Sequence, residues 1–441
     1  MADAASRLTT LAEELLGGPL PVRLRAWDGS EAAPPGVGAA APVLIVRDRR
    51  ALRRMIWKPG ELGLARAWVA GELDVEGDLY EVLDRISGLL WERPEDTRSR
   101  LTALRDSVRD PKLRAAARAL LRLAGPFPPP PPPAEEMHGR SGRSHSRRRD
   151  KQAISHHYDV GNDFYEIVLG PSMVYSCAYW TEDGTLEDAQ RDKLDLIARK
   201  LNLTEGDRLL DVGCGWGSMA LHAAREYGAR VVGITLSREQ AAYARKRVAD
   251  EGLTDLVEIR VQDYRDVADG PYDAISSIGM AEHVGAVKYR EYADTLYHLL
   301  KPGGRLLNHQ ISRRPEPDEE AYEIDPFIDA YVFPDGELAP MGRTLSTLED
   351  AGFEVRDVEA IREHYALTLR RWVANLERDW DRAVRLTSPG RARIWRLYMA
   401  ASAVSFERNR IGVNQFLAVK TPLSGKSGTA LRPRVWNEKT D

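Results

Sequence analysis

Three groups of residues in the sequence are of types that carry chemistry. Asp211, Gly213, Gly215 and Gly217 in "LLDVGCGWGS" put three glycines at the end of an apolar run, where they let a ligand approach the backbone. No P-loop lysine follows, so this turn calls for close packing against a ligand and not for a phosphate cradle. Glu282, beside His283 in "MAEHVG", and His309 in "NHQIS" place a carboxyl and an imidazole after two successive apolar runs, a pairing suited to acid–base work. Read singly, Glu282 with His283 fits an exposed loop pair, and His309 a satisfied core histidine. Cys177 in "YSCAYW" and Cys214 in the glycine turn are the only two cysteines, which excludes a disulfide framework and a four-thiolate zinc site. On its own Cys177 fits a small buried hydrophobe, and Cys214 fits packing.

The elements that must position these groups follow from periodicity. "DRLLDVG", "ARVVGIT", "LVEIRVQ", "YDAISSIG" and "GRLLNHQI" are short apolar or β-branched runs, separated by helical segments such as "REQAAYARKRVADEG". The alternation predicts a parallel sheet with helices on both faces. "GFEVRDVEAI" and "NQFLAVK" add two late strands. Five βα units and a terminal strand pair make a seven-stranded, Rossmann-like α/β sheet. Its carboxyl edge gathers the glycine turn, Glu282 and His309.

The chain has 441 residues, 43% hydrophobic and 29% charged, which favours two globular domains over one. A formal net charge of −4 argues against a nucleic-acid binder. No apolar run approaches the roughly 18 residues that span a bilayer, and the start "MADAASRLTT" lacks a signal-peptide pattern, so the expected compartment is the cytoplasm. Six prolines, Pro128 to Pro133, precede an Arg-rich stretch and predict a semi-rigid linker over 126–150. Its cluster Arg140, Arg143, Arg147, Arg148, Arg149 and Lys151 suits an anionic lipid surface as well as it suits a solvated linker. Upstream, over 1–125, "APVLIVRD" reads as a strand, "ELGLARAWVAGEL" as a helix, and "PEDTRSRLTALRDSVRDPKLRAAARALLRLAG" as helix interrupted near Pro111, giving a small α+β domain. The catalytic domain is expected over 151–441.

The D-x-G-x-G-x-G spacing resembles motif I of class I S-adenosylmethionine (SAM)-dependent methyltransferases. Many of those place an acid after the second strand, on the ribose; here "GITLSREQ" offers Thr235, Leu236, Ser237 and Gln240 instead. That departure, with "VQDYRD", "HHYDVGNDFYEIVLGPSMVYSCAYW", "SIGMAEHVG", "NHQIS" and "HYALTLRRW", resembles the cyclopropane-fatty-acyl-phospholipid synthase and mycolic acid cyclopropane synthase family from about Ile154 to Lys420. The resemblance implies that SAM methylates an alkene in an unsaturated acyl chain of a phospholipid. Proximity and alignment would supply most of the catalysis, since no side chain can activate an alkene by deprotonation. The resulting carbocation would lie near aromatic faces such as Tyr175, Tyr331 and Tyr365. A bound bicarbonate would take the proton, held at the matching positions Cys177, Glu282, His309, the backbone of Ile311, and Tyr365. Cofactor contacts carry over to Tyr158, Tyr175, Ser176, Gly213, Gly215, Thr235, Leu236, Gln240, Gln262, Asp263 and Tyr264; no metal is implied.

The family resemblance leaves two products open: a cyclopropane, or a methylene branch (10-methylene) that a flavin-dependent reductase partner converts to a 10-methyl chain such as tuberculostearic acid. It is compatible with a homo-oligomer and with peripheral attachment to the inner face of the membrane. The segment "RRWVANLERDWDRAVRL" reads as an ordinary surface helix or as a membrane-facing cap over a lipid tunnel. Two other functions predict different motifs. A methyltransferase of nucleic acid or amines would show an Asn/Asp-Pro-Pro-aromatic motif or a Pro-Cys nucleophile, and "SSIGMAEHVG" and Ser176–Cys177 have neither. A non-catalytic lipid- or cofactor-binding relative would lose the bicarbonate set, which is present.

Overall fold

The computed structural model of the chain describes residues 3–16, 18–91, 111–125, 128–137, 160–319 and 322–431. Contacts divide it into two units, Met1–His138 with Ser388–Val404, and Gly139–Thr387 with Ser405–Asp441.

The first unit holds a four-stranded sheet of β1 (Arg23–Arg25), β2 (Glu31–Ala32), β3 (Val43–Val46) and β4 (Leu73–Glu76), in the order β2-β1-β3-β4. Helices including Arg50–Trp57, Glu61–Val69 and Pro111–Ala124 accompany it, so the unit is α+β. The helix expected over 61–73 stops at Val69, because Gly71 at φ 71° turns the chain into β4. Pro111 opens its helix at a position where a missing N–H costs nothing.

The proline run is more than a spacer. A polyproline segment has no internal hydrogen bonds, so its carbonyls remain available. Arg54 Nη1 donates to the Pro131 carbonyl at 2.7 Å, and Arg66 Nε donates to Glu136 at 2.7 Å. Residues 128–137 of the expected 126–150 linker thus belong to the first unit. The basic cluster from Arg140 to Lys151 lies outside the described residues.

A second difference concerns the helix Pro389–Glu407, expected in the catalytic domain. The segment Ser388–Val404, which contains most of this helix, falls in the first unit. Trp68 Nε1 donates to the Arg393 carbonyl at 2.9 Å, and the Arg393 guanidinium lies 4.4 Å from the centre of the Trp68 ring. Ile394, Trp395 and Met399 are buried there.

In the second unit the strands are β5 (Arg208–Val212), β6 (Arg230–Thr235), β7 (Val257–Val261), β8 (Tyr272–Ile278), β9 (Leu300–Arg313), β10 (Ala339–Pro340), β11 (Glu354–Ala360) and β12 (Ile411–Val419). The sheet order is β11-β12-β9-β8-β5-β6-β7. β5 to β9 run parallel, and β12 is antiparallel to both β9 and β11. These are the seven expected strands; the two-residue β10, which pairs with the end of β9, is an addition. Leu209, Ala274 and Leu307 pack with helices Leu186–Leu201, Ser218–Tyr227 and Arg238–Asp250 on one face. Leu210, Ile275 and Leu306 pack with helices Tyr289–Leu299 and Met341–Asp350 on the other. No described helix is long and apolar enough to cross a membrane.

Candidate active site

The site begins where β5 ends. Gly213, Gly215 and Gly217 have φ of 76°, 54° and 83°, the left-handed region that glycine enters without strain. A Cβ on Gly213 would meet Met280 at 3.0 Å and one on Gly217 would meet Ala244 at 3.1 Å, so these two glycines let the turn pack. A Cβ on Gly215 would meet nothing within 4 Å, which leaves the space over that residue open for a ligand.

Beneath the turn, Asp211 Oδ1 accepts from Ser276 Oγ at 2.7 Å, while its buried Oδ2 has no partner among the described residues. Burial raises this carboxyl to about 6. The fully buried Lys193 donates to Ser176 Oγ at 2.9 Å, and burial lowers its ammonium to about 8 against the pull of Cys177 and Asp211.

The loops after β6 and β7 flank the turn. Thr235 Oγ1 donates to Gln240 Oε1 at 2.8 Å, and Ser237 caps the helix Arg238–Asp250 by accepting from the Gln240 N–H. Leu236 is half-buried between them. Gln262 N–H donates to the Thr235 carbonyl at 3.0 Å, and its side-chain amide donates to the Asp266 carbonyl. The Asp263 carboxylate is gripped by Arg265 at 2.6 and 2.8 Å, and Tyr264 is buried edge-on to Tyr292. Of the expected cofactor set, Gly213, Gly215, Thr235, Leu236, Gln240, Gln262, Asp263 and Tyr264 lie in the segments that follow β5, β6 and β7 or end them. Ser176 contacts the helix Leu186–Leu201 and Tyr175 packs near Trp372, and Tyr158 lies outside the described residues.

Glu282 sits on the short turn Ala281–His283 after β8, and His309 and Ile311 lie in β9. The backbone of Ile311 is the expected anion contact, and its N–H donates to Glu282 Oε1 at 2.7 Å. Glu282 Oε2 is buried with no partner among the described residues, and burial raises the carboxyl to about 7. His309 is buried; its Nε2 also has no partner among the described residues, and burial reinforced by Lys193 and Lys200 holds the ring well below the usual imidazole range. His283 packs edge-on to Phe333, and burial lowers it to about 4.

Cys177 is fully buried, its Sγ 3.2 Å from its neighbour's carbonyl at Ala178 and 3.7 Å from that of Ile361. Burial drives its thiol well above the usual range, so it is an uncharged contact and not a nucleophile. Tyr365 packs on Phe406 and edge-on to Trp372, whose other neighbour is Tyr175 at 5.4 Å between ring centres. Trp372, in the helix Arg362–Arg378, is fully buried and so does not point outward. Tyr331 is buried against Phe327.

Sequence reasoning missed Lys193, Lys200 and Gln415. A signal for the lysines exists: Gln190, Lys193 and Lys200 fall at i, i+3 and i+10 on the helix Leu186–Leu201, among the apolar positions that face the sheet. All three are fully buried.

Residues 145–416 match the family model described as mycolic acid cyclopropane synthetase. A probable fatty acid methyltransferase of Mycobacterium tuberculosis is 45% identical over 418 residues, covering 94% of each chain. The cyclopropane-fatty-acyl-phospholipid synthase of Escherichia coli (strain K12) is 38% identical over 266 residues, 60% of this chain and 67% of that one. The crystal structure of mycolic acid cyclopropane synthase CmaA1, complexed with SAH and CTAB, aligns with a TM-score of 0.57 at 34% identity, over 61% of this chain and 97% of that one. With motif I at the end of β5 and a class I sheet order around it, the chain belongs to the mycolic acid cyclopropane synthetase family and is a SAM-dependent methyltransferase.

Proposed function

We propose that the protein transfers a one-carbon unit from SAM to the double bond of an unsaturated fatty acyl chain of a membrane phospholipid, with bicarbonate bound as the base. The observation that carries this reading is a pair of buried polar atoms left without partners among the described residues, Glu282 Oε2 on the turn after β8 and His309 Nε2 in the adjacent β9. Buried polar groups are nearly always satisfied, so each of these atoms calls for a polar partner, which a bound bicarbonate would supply. A carboxyl raised to about 7 is largely protonated below neutrality and then donates to an anion instead of repelling it. Bound SAM would supply an electrophilic methyl group, and bound bicarbonate a proton acceptor.

The remaining work falls to the chain itself. The turn from Gly213 to Gly217 leaves room for a cofactor over the backbone, and Thr235, Gln240 and Gln262 are braced by one another at its flank. Tyr175, Trp372 and Tyr365 form a run of aromatic rings whose faces would stabilise a cation on the acyl chain. Neutral Cys177 cannot compete for the methyl group as a thiolate would. The similarity to proteins named fatty acid methyltransferase and cyclopropane-fatty-acyl-phospholipid synthase supports the acyl substrate. The Arg-rich segment from Arg140 to Lys151 would draw the protein to an anionic inner leaflet.

The test is expression in a bacterium that lacks such an enzyme, followed by mass spectrometry and NMR of its phospholipids. Monounsaturated chains heavier by one CH₂ are expected. Cyclopropane protons would identify ring closure, and exocyclic methylene protons would identify the branched product that a flavin-dependent reductase could reduce. Unmodified lipids, with purified protein that binds SAM, would overturn the proposal.

A further inference from the structure

We propose that Lys200 and Gln415 are positioning residues that fix His309 as its Nε2–H tautomer, so that the ring faces the site as a neutral hydrogen-bond donor and takes no proton during turnover.

Three adjacent strands bring the residues into one row. Gln415 on β12 lies opposite Glu359 on β11 and opposite His309 on β9. From the helix Leu186–Leu201, the fully buried Lys200 reaches this row and pairs with Glu359 Oε2, while Tyr179 donates to Glu359 Oε1 at 3.1 Å. Lys200 Nζ also donates to Gln415 Oε1 at 2.8 Å.

Donor and acceptor inventory then leaves one arrangement. An ammonium has no acceptor, so the Gln415 amide must turn its oxygen to Lys200. Its NH₂ group, which can only donate, is thereby aimed at His309 Nδ1 at 3.3 Å. Nδ1 must offer a lone pair, and in a neutral ring the proton then resides on Nε2. An Nδ1–H tautomer or an imidazolium would set two donors against each other at that contact. The ammonium groups of Lys193 and Lys200 further oppose an imidazolium, as does burial. Nε2 is the ring atom left without a partner among the described residues.

Only the role of the N–H, donation to an anion, rests on the proposed function; the tautomer does not. Long-range ¹H–¹⁵N NMR on the whole protein labelled at histidine nitrogens reads the tautomer directly, with the His309 signals assigned by their loss in His309→Gln. A pyridine-type Nδ1 and a pyrrole-type Nε2, unchanged from pH 6 to 8, are expected. A pyrrole-type Nδ1, or an imidazolium in that range, would overturn the proposal. In Gln415→Glu the carboxylate can accept from both Lys200 and Nδ1–H, so the tautomer should invert. The bicarbonate concentration for half-maximal turnover should then rise at least ~10-fold, with the KM for SAM unchanged. An unchanged tautomer and an unchanged bicarbonate requirement in that variant would also sink the idea. If the variant fails to fold, the wild-type spectrum alone decides. A protein with the Nε2–H signature but no lipid alkylation would refute the function and leave this inference standing, whereas an Nδ1–H ring in an active enzyme would do the reverse.

Discussion

Burial is the largest influence on the protonation of Glu282, Cys177 and His309 before any ligand arrives. Glu282 titrates near 4.5 when exposed and near 7 when folded. The folded state therefore holds a proton that the unfolded state releases between those values, and the stability from this group is lost as pH rises through 7. Glu282→Gln keeps an acceptor for the Ile311 N–H but removes the titration. It should lower turnover on the order of 10²-fold at saturating SAM, while its melting temperature relative to wild type improves between pH 5 and pH 8. Full activity, or a melting difference flat with pH, would contradict the assigned environment. The thiols allow a simpler check. Cys177 and Cys214 are both buried and both raised well above the usual range, so an aromatic disulfide reagent at pH 8 should label neither in native protein and both in urea.

At the scale of elements, the glycine turn and the helix Leu186–Leu201 carry separable loads. Gly215→Ala forces a side chain into a left-handed backbone but meets no neighbour, so it should cost about 1 kcal/mol of stability and raise the Kd for SAM at least ~10-fold. Calorimetric titration of SAM that finds wild-type affinity would remove the cofactor from that turn. The helix starts at a capping box in which Thr185 and Asp188 satisfy each other's backbone N–H groups. Thr185→Ala should therefore lose about 1 kcal/mol in urea unfolding, with the KM for SAM unaltered because the helix interior still delivers Lys193 and Lys200. The strands were legible from apolar runs ended by glycine or polar turns, and they delivered Glu282 and His309 to one edge. The role of the two lysines was not. A charged residue on an apolar helix face acquires meaning only from its partners, and Gln415 and Glu359 arrive from strands more than 150 residues downstream. The donor set at Ile311 was hidden for a related reason, since nothing local says that Glu282 will reach across from β8 to claim its N–H.

Across the whole molecule, the first unit needs a piece of chain that composition assigns elsewhere. The proline run reads as a spacer because prolines lack N–H donors, yet its carbonyls still accept, and Arg54 comes from a distant helix. Likewise nothing in "GRARIWRLYMAAS" announces that this helix belongs with the first unit and buries Ile394, Trp395 and Met399. Residues 139–441 expressed alone should thus expose those side chains, giving lower soluble yield and stronger binding of a hydrophobic dye than the full chain; equal behaviour would show that the helix needs no such cover. The same discontinuity orders events on the ribosome. About 250 residues separate His138 from Ser388, and at roughly 5–20 residues per second their synthesis takes on the order of 10 to 50 seconds. Throughout that interval the N-terminal segment has emerged but lacks the helix that Trp68 and Arg393 clasp. The first part of the protein to be made is therefore among the last to be finished, and a stalled or truncated chain would leave the Trp68 surface uncovered for chaperones and proteases to find.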